Sequence, residues 1–215
     1  CNGQLGQSIQ KLSNDFSQFE FIFTDSETLD ITNKENVFDF FWQNEPSFCI
    51  NAAAYTAVDL AETDVEKAFL VNANGTENLA EACKEYNAQF IHISTDYVFD
   101  GENQLPYTED DFTNPIGVYG ASKLSGEELA LEVNPCTVIL RTSWVYSEFG
   151  KNFVKTMLNL FAIKEELGII ADQFGQPTNA NDLAQAIMKI VKSEKITPGI
   201  FNFSNAGKIS WFDFA

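Results

Sequence analysis

Short apolar runs rich in β-branched and aromatic residues alternate along the chain with longer segments of helical period. The short runs predict buried strands, and the longer segments predict helices that cover a sheet. We therefore expect an α/β fold with a doubly wound (Rossmann), mostly parallel sheet and a small C-terminal substrate-binding part. The predicted strands are 21–24, 48–51, 90–94, 138–141, 168–171 and 200–203. The predicted helices are 5–12, 34–44, 65–86, 122–132, 152–160 and 181–192.

The order of these elements predicts one main domain. Residues 1–150 are expected to form a dinucleotide-binding Rossmann domain whose first strand is missing, and residues 151–215 part of a substrate-binding region interleaved with it. The start resembles the second half of a glycine-rich turn, and residues 211–215 resemble the opening of a helix, so we expect further chain at both ends. The segment 100–119 is rich in Gly, Pro, Asn and Asp and is long for a connection, which indicates a functional loop.

Composition and charge exclude several classes of protein. The 215 residues carry 13 Lys and Arg against 31 Asp and Glu, a formal charge of -18, which disfavours binding to nucleic acid or to anionic membranes. No apolar run approaches the roughly 20 residues of a membrane span. The four cysteines have no paired short spacing, so neither a zinc site nor a disulfide framework is expected, and a cytoplasmic protein is predicted. His92 lies in an apolar run, where a structural role is expected.

Tyr119 and Lys123 lie four residues apart and therefore on one face of a predicted helix. The Lys charge is expected to lower the Tyr pKa from about 10 toward working pH, so that Tyr119 can act as an acid. The same spacing also occurs on solvated helix faces, which is the alternative interpretation. Ser94-Thr95-Asp96-Tyr97 ends the strand before and adds a hydroxyl. A phenol, an ammonium and a hydroxyl together suit proton transfer at a carbonyl and indicate a nicotinamide-dependent reductase.

Three further segments suit a bound dinucleotide. Gly3 and Gly6 precede a helix and allow the backbone to approach a pyrophosphate. Asp25 follows about 20 residues later, where an acid can accept hydrogen bonds from ribose hydroxyls, which favours NADH over NADPH; the alternative is that Asp25 only starts a loop. Residues 52–54 are three alanines after a strand, and they either leave room for a cofactor or pack against a helix.

Apart from Asp25, these residues belong to blocks that resemble the dTDP-4-dehydrorhamnose reductases, of the extended short-chain dehydrogenase/reductase group. The resemblance runs from Gly3 to about Ala215. It rests on seven blocks in order: NGQLG at 2–6, LDIT at 29–32, NAAAYTAVD at 51–59, STDYVFDG at 94–101, YGASK at 119–123, RTSWV at 141–145 and DQFGQPT at 172–178.

The resemblance implies a role for each matching residue. Thr95, Tyr119 and Lys123 would be catalytic, with Tyr119 as the proton donor. Tyr119 and Lys123 would also contact the cofactor, Lys123 through the nicotinamide ribose. The other implied cofactor-binding residues are Gly3, Gln4, Leu5 and Gly6 at the pyrophosphate, Asp30 and Ile31 beside the adenine, and Ala52, Ala53 and Ala54 along the dinucleotide, in addition to Asp25. The implied substrate-binding residues are Thr95, Asp96 and Trp144.

The implied activity is reduction of the 4-keto group of dTDP-4-dehydro-L-rhamnose to dTDP-L-rhamnose by NADH or NADPH, for rhamnose and surface polysaccharide biosynthesis. Two alternatives stay open: a non-catalytic regulatory subunit like the β subunit of methionine adenosyltransferase, and a reductase or epimerase of another nucleotide sugar. The resemblance also implies a homodimer, in which some members hold a metal such as Mg²⁺ at the subunit interface. No residue of this sequence is assigned to a metal.

Overall fold

The computed structural model describes residues 1–215, which form two compact units. We call them the sheet unit, residues 24–141 and 193–202, and the second unit, residues 1–23, 142–192 and 203–215. The predicted boundary at residue 150 separates a dinucleotide-binding part from a substrate-binding part, and it stays a prediction.

The chain forms eight strands, of which four make a single sheet in the order β1-β2-β3-β7. The β1–β2 and β3–β7 pairs are parallel, with Ile50 opposite Ile91 and Leu140 opposite Phe201. This sheet confirms the predicted α/β class and four of the predicted strands. The strands are β1 (Phe48–Asn51), β2 (Gln89–Thr95), β3 (Val138–Thr142), β4 (Val145–Tyr146), β5 (Phe174–Gly175), β6 (Thr178–Asn179), β7 (Gly199–Asn202) and β8 (Ile209–Ser210).

The helices follow the predicted segments closely, and several begin at a polar cap. Asn33 and Asn152 each accept a hydrogen bond from a backbone N–H of the first turn that follows, and this satisfies donors that have no partner inside the helix. The helices are α1 (Gln4–Ser13), α2 (Lys34–Asn44), α3 (Val58–Ala61), α4 (Val65–Phe69), α5 (Gly75–Glu85), α6 (Val118–Val133), α7 (Phe153–Phe161), α8 (Ala180–Val191) and α9 (Trp211–Phe214).

The predicted helix 65–86 is helical throughout but changes its winding. A π-helix, Leu70–Asn74, separates α4 from α5. Because a π turn holds one more residue than an α turn, such a segment redirects the side chains that follow it. The sequence pattern predicted the length of this segment and missed the wider turn.

The core of the sheet unit lies where α2 and α5 pack together and α5 packs on the sheet. Both helices present one apolar face inward, and an aromatic residue of β2 meets them there. The main buried residues of this core are Leu29, Val37, Phe41, Leu79, Ala80, Ala82, Cys83, Ala88, Phe90 and Ala130.

The second unit is built around the contact of α1 with α8. Ile9 of α1 is buried, as are Leu183 and Ile187 on one face of α8. Two small sheets accompany the helices: β4 pairs with β6 in parallel, and β5 pairs with β8 in antiparallel orientation.

Two predicted strands are wrong, because an apolar run becomes a strand only where a neighbour completes its hydrogen-bond ladder. No ladder forms at 21–24; there the rings of Phe21 and Phe23 stack on each other with centroids 5.7 Å apart. Residues 168–171 form no strand either, and Ile170 accepts a single backbone bond from Phe212. The ladder in this region lies a few residues later, between β5 and β8.

Candidate active site

Thr95 ends β2 and starts a short 3-10 helix, Asp96–Val98. Its hydroxyl accepts a hydrogen bond from the Tyr97 N–H (3.2 Å) and donates to the Asp96 carboxylate (3.2 Å). Thr95 is buried and Asp96 is half-buried. Both side chains therefore lie at the carboxyl end of a parallel strand, which is the edge where open α/β sheets bind ligands.

Tyr119 lies in the first turn of α6, close to this 3-10 helix. Its ring packs edge-on against Tyr97, with centroids 5.5 Å apart. Gly120 permits the approach, because a Cβ at this position would collide with the Tyr97 carbonyl. The α6 N-terminus is held in addition by the Val118 N–H, which donates to the Glu62 carboxylate at 2.8 Å.

The pKa of Tyr119 differs from the expectation. Burial raises it to about 12, the hydrogen bond of Thr95 lowers it, and the negative charge of Asp96 raises it further. Lys123 is not among the groups that shift this pKa; its Nζ donates to the Ile93 carbonyl (2.7 Å) and lies 3.1 Å from His92 Nε2. The predicted lowering of the Tyr119 pKa by Lys123 is thus not what this structure shows.

Lys123 is 1% exposed and His92 is fully buried. Burial lowers the pKa of Lys123 to about 8, whereas the Glu127 carboxylate raises it. Burial, and then the charge of Lys123, hold the pKa of His92 well below its ordinary value. His92 Nδ1 lies 3.1 Å from Asn51 Nδ2, at the end of β1. A line of polar groups therefore connects Lys123 to the neighbouring strand.

Asp96 is the acid nearest to Thr95. Burial raises its pKa to about 6, although the hydrogen bonds from Thr95 and from the backbone N–H groups of Asp96 and Tyr97 lower it. A carboxyl with this pKa changes its protonation state close to neutral pH, so it can hold a proton at the site under mildly acidic conditions.

The segment after β1 carries the three predicted cofactor-contacting alanines. Ala52 and Ala53 are exposed and Ala54 is half-buried. The Ala53 N–H donates to Asn51 Oδ1 at 3.1 Å. Two exposed methyl groups at a strand end leave the backbone accessible, which fits a ligand lying against it.

Asn72 of the π-helix fixes the backbone of the segment that follows β1. Its side chain accepts from the Tyr55 N–H (2.8 Å) and donates to the Tyr55 carbonyl (3.1 Å) and to Ser122 Oγ (2.9 Å). Both backbone groups of Tyr55 are thereby tied to one buried amide. Asn72 is a positioning residue that the sequence reasoning missed.

The glycine-rich turn belongs to the second unit. Gly3 is exposed and occupies the N-cap of α1, where no side chain caps the first-turn N–H groups. A Cβ at Gly6 would collide with the Cys1 backbone, so the turn is too tight for a larger residue. Open N–H groups at the start of a ten-residue helix fit a bound phosphate.

Gln4 and Leu5 complete that turn with different surroundings. The Gln4 amide donates to the Val145 carbonyl (3.2 Å) and accepts from Asn152 Nδ2 (2.9 Å), so its side chain is engaged inside the unit. Leu5 is buried, and its contribution to a ligand would come from its backbone N–H.

Asp25 and Asp30, the predicted ribose and adenine contacts, both serve as turn residues. Asp25 Oδ1 accepts from the N–H groups of Glu27 and Thr28, each at 3.1 Å. Asp30 Oδ1 accepts from the Thr32 N–H (3.0 Å) and hydroxyl (2.7 Å). The half-buried Ile31 fixes this turn, because its carbonyl accepts from Asn78 Nδ2 at 2.9 Å. Asp25 therefore stabilises a turn, as the loop interpretation expects, and a contact with the ribose stays a prediction.

Trp144, the predicted sugar contact of the second unit, has left-handed backbone geometry (φ 47°) and is half-buried. Its ring stacks on Trp211 with centroids 3.5 Å apart and an interplanar angle of 11°. Gly175 lies against the same indole and leaves no room for a Cβ. One face of Trp144 is therefore covered by aromatic packing.

With this geometry in view, comparison with known proteins decides the family. The family model for the RmlD substrate binding domain matches residues 1–215. A dTDP-4-dehydrorhamnose reductase of Aggregatibacter actinomycetemcomitans is 46% identical, over 100% of this chain and 74% of that protein. The chain belongs to this reductase family.

Solved structures of dTDP-4-dehydrorhamnose reductases have the same fold. The Clostridium acetobutylicum protein matches with a TM-score of 0.95 and 45% identity, over 99% of this chain and 75% of that one. The Bacillus anthracis protein, crystallised in complex with NADP, matches with a TM-score of 0.95 and 40% identity, again over 99% and 75%. The chain thus spans about three-quarters of the length of these relatives.

In this member of the reductase family, the sheet unit brings Thr95, Asp96, Tyr119 and Lys123 together at the end of β2 and on α6. Sequence reasoning missed the connection from Lys123 through His92 to Asn51. A signal existed, because His92 is a polar residue inside an apolar run.

Two further observations concern the family chain as a whole. No helix is long and apolar enough to cross a membrane. No group of three or more His, Cys, Asp or Glu side chains stands close enough together to hold a metal ion.

Proposed function

We propose that this chain reduces the 4-keto group of dTDP-4-dehydro-L-rhamnose to dTDP-L-rhamnose with NADH or NADPH, in nucleotide-sugar biosynthesis for rhamnose-containing polysaccharide. The observation that carries the proposal is the juxtaposition of Thr95 and Tyr119 at the carboxyl end of β2, with buried Lys123 one turn farther along α6. Family relatives named dTDP-4-dehydrorhamnose reductase, at 45–46% identity, support it.

A nicotinamide dinucleotide would be held mainly through backbone groups. Gly3 to Gly6 offer the open first-turn N–H groups of α1 to the pyrophosphate, and Ala52 to Ala54 offer an accessible strand end. Asp30 and Ile31 would flank the adenine, and Lys123 would contact the nicotinamide ribose. When bound in reduced form, the dinucleotide supplies the hydride.

The residues of the chain handle the proton and the orientation of the sugar. Tyr119, with a pKa of about 12, is a protonated phenol at neutral pH and therefore carries the proton that the carbonyl oxygen needs. The Thr95 hydroxyl orients that oxygen, and Asp96 and Trp144 contact the sugar nucleotide. The aromatic ring of Trp144 suits the apolar face of a deoxysugar.

The test is the rate of NADH and NADPH oxidation with dTDP-4-dehydro-L-rhamnose, measured for the wild type and for Tyr119→Phe. The phenylalanine keeps the packing of the ring and removes the acidic proton, so turnover should fall about a hundredfold to ten-thousandfold. Affinity for the dinucleotide should stay the same. Tyr97→Phe is the matched control, because Tyr97 touches Tyr119, is 44% exposed and is given no proton-transfer role.

Two results would overturn the proposal. Near-normal turnover in Tyr119→Phe would remove this residue from the reaction. A wild type that binds the dinucleotide but turns over no keto sugar would favour the regulatory-subunit interpretation, whereas turnover of a different keto sugar would favour a reductase or epimerase of another nucleotide sugar.

The finer features of the proposal concern cofactor choice and assembly. We expect NADH to be used at least as well as NADPH, because Asp25 would repel a ribose phosphate, and the ratio of the two oxidation rates checks this. We also propose that the protein is a cytoplasmic homodimer. Sedimentation with and without a chelator tests whether Mg²⁺ at the subunit interface holds the dimer together.

A further inference from the structure

The hydrogen bonds between Ala53 and Lys123 form a continuous chain. The Ala53 N–H meets Asn51 Oδ1 at 3.1 Å, Asn51 Nδ2 meets His92 Nδ1 at 3.1 Å, and His92 Nε2 meets Lys123 Nζ at 3.1 Å. Lys123 Nζ also reaches the Ile93 carbonyl at 2.7 Å. Asn51, His92 and Lys123 are all buried, so water does not relieve a mismatch between donors and acceptors along this chain.

Asn51 sets the donor-to-acceptor direction of this chain of hydrogen bonds. A backbone N–H can only donate, so the Ala53 N–H requires the carbonyl oxygen of the Asn51 amide on its side. The amide nitrogen of Asn51 then faces His92 Nδ1, and also Thr76 Oγ1 at 3.4 Å. The Thr76 hydroxyl already donates to the Asn72 carbonyl at 2.8 Å and is therefore an acceptor toward Asn51. Asn51 consequently donates to His92 Nδ1.

The direction continues through the imidazole. A neutral histidine has one acceptor nitrogen and one N–H, so His92 accepts at Nδ1 and carries its proton on Nε2. That N–H points at Lys123 Nζ. An ammonium group has no acceptor and would set two donors against each other at 3.1 Å, whereas a neutral amine accepts from His92 and still donates to Ile93.

We propose that Asn51 and His92 are positioning residues that present a hydrogen-bond donor to Lys123 and thereby hold it as a neutral amine in this arrangement. Lys123 becomes an ammonium when the donors and acceptors of the hydrogen-bond chain exchange roles, so that the proton of His92 is on Nδ1. It also becomes an ammonium when its side chain moves away from His92. The role of this chain in catalysis rests on the proposed reductase function, in which Lys123 would contact the nicotinamide ribose.

Burial also favours the neutral amine of Lys123. It lowers the pKa to about 8, so the neutral form predominates above this pH. Glu127 acts in the opposite direction, and its carboxylate is already paired with Arg141 at 2.6 Å. The other ionisable groups on α6 and on the elements packed against it do not contribute to the Lys123 pKa: Asp59, Glu66, Lys67, Glu77, Glu81, Cys83, Lys84, Glu85, Asp96, Tyr97, Tyr119, Glu128 and Glu132.

The first test needs no turnover. His92 is the only histidine among the 215 residues, so selective ¹⁵N labelling of histidine gives the ring signals of this residue alone. We expect an unprotonated Nδ1 and a protonated Nε2 at about pH 9, above the Lys123 pKa of about 8. In Asn51→Asp, whose carboxylate can only accept, the proton should move to Nδ1. A wild-type ring with its proton on Nδ1, or with both nitrogens protonated, would refute the proposal.

The second test uses the pH dependence of kcat/KM. Removing the donor in His92→Leu should raise the Lys123 pKa and move the alkaline limb upward by about one to two pH units. If His92 instead accepted from an ammonium, the same substitution would move the limb downward, and a purely structural role would leave it in place. Thr76→Val is the matched control, since it removes a neighbour of Asn51 and leaves the chain to Lys123 intact.

The two tests separate the two proposals. If the wild type turns over and the alkaline limb of His92→Leu is unmoved or lowered, only the proposed role of His92 is refuted. Absence of wild-type turnover would refute the reductase function, and the labelled ring would still decide how His92 is protonated. Should His92→Leu fail to fold, the ring signals of the wild type remain decisive.

Discussion

The ion pair between Glu127 of α6 and Arg141 of β3 is the most deeply buried pair of opposite charges in the protein. The two side chains are 2% and 4% exposed, respectively. Arg141 Nε donates to both carboxylate oxygens (3.0 and 3.1 Å), and Nη2 donates to Oε2 (2.6 Å). Phe99 covers the guanidinium at 5.1 Å from its ring centroid, and Nη1 is buried without a partner. Glu127 is therefore the carboxylate that pairs directly with Arg141.

Glu127→Gln keeps the shape of the side chain and removes that charge. Leaving one member of a buried ion pair uncompensated costs about 3–5 kcal/mol of unfolding free energy. For a chain of this size each kcal/mol shifts the melting temperature by about 2–4 °C, so the variant should melt about 6–20 °C lower. Because Glu127 also raises the Lys123 pKa, its loss should lower that pKa.

The assay is thermal and urea denaturation of three variants beside the wild type. The double variant Glu127→Leu/Arg141→Met buries no charge and should recover most of the loss. Glu148→Gln is the matched control, because Glu148 pairs with Lys11 on the surface, where the side chains are 46% and 64% exposed and such a pair is worth about 0–1 kcal/mol. A single variant as stable as this control, or a double variant no more stable than Glu127→Gln, would refute the reasoning.

Two further predictions concern the same unit. Gly120→Ala should cost about 1–3 kcal/mol and lower kcat, because its Cβ meets the Tyr97 carbonyl, whereas Gly168→Ala meets open space; equal losses would contradict this. Asp96 has a pKa raised to about 6, so its protonated form is favoured in the folded state: that contribution to stability is complete below about pH 4 and is lost as the pH rises through about 6. Asp96→Asn should flatten the stability curve over this range, and an unchanged slope measured by urea denaturation would count against it.

Local pattern was sufficient where an element packs through one face of its own. The helix 34–44 and the strand 48–51 have the predicted bounds, since the helix repeats its apolar residues with helical period and the strand is a short apolar run. Pattern failed at 21–24 and 168–171, which have the composition of strands. Whether such a run becomes a strand depends on a partner elsewhere in the chain, and no property of the run itself reports on that partner.

The candidate site divides in the same way. That Thr95 and Tyr119 come together follows from a strand end and a motif, both of which are local. The raised pKa of Tyr119 and the lowered pKa of Lys123 arise from burial, and burial depends on how α6 packs on the sheet. His92 was expected to be structural because its flanking residues are apolar, and only the packed structure reveals that its ring lies between Asn51 and Lys123.

The π-helix at Leu70–Asn74 makes the length of this region a structural constraint. A π turn closes over one residue more than an α turn, so deleting one residue here would let an α turn form in its place and leave α5 facing the core. Leu79 and Cys83 would keep their buried positions, whereas Asn72 would no longer be placed to bond Tyr55. The extra residue of this turn therefore serves the position of Asn72 and not the packing of α5.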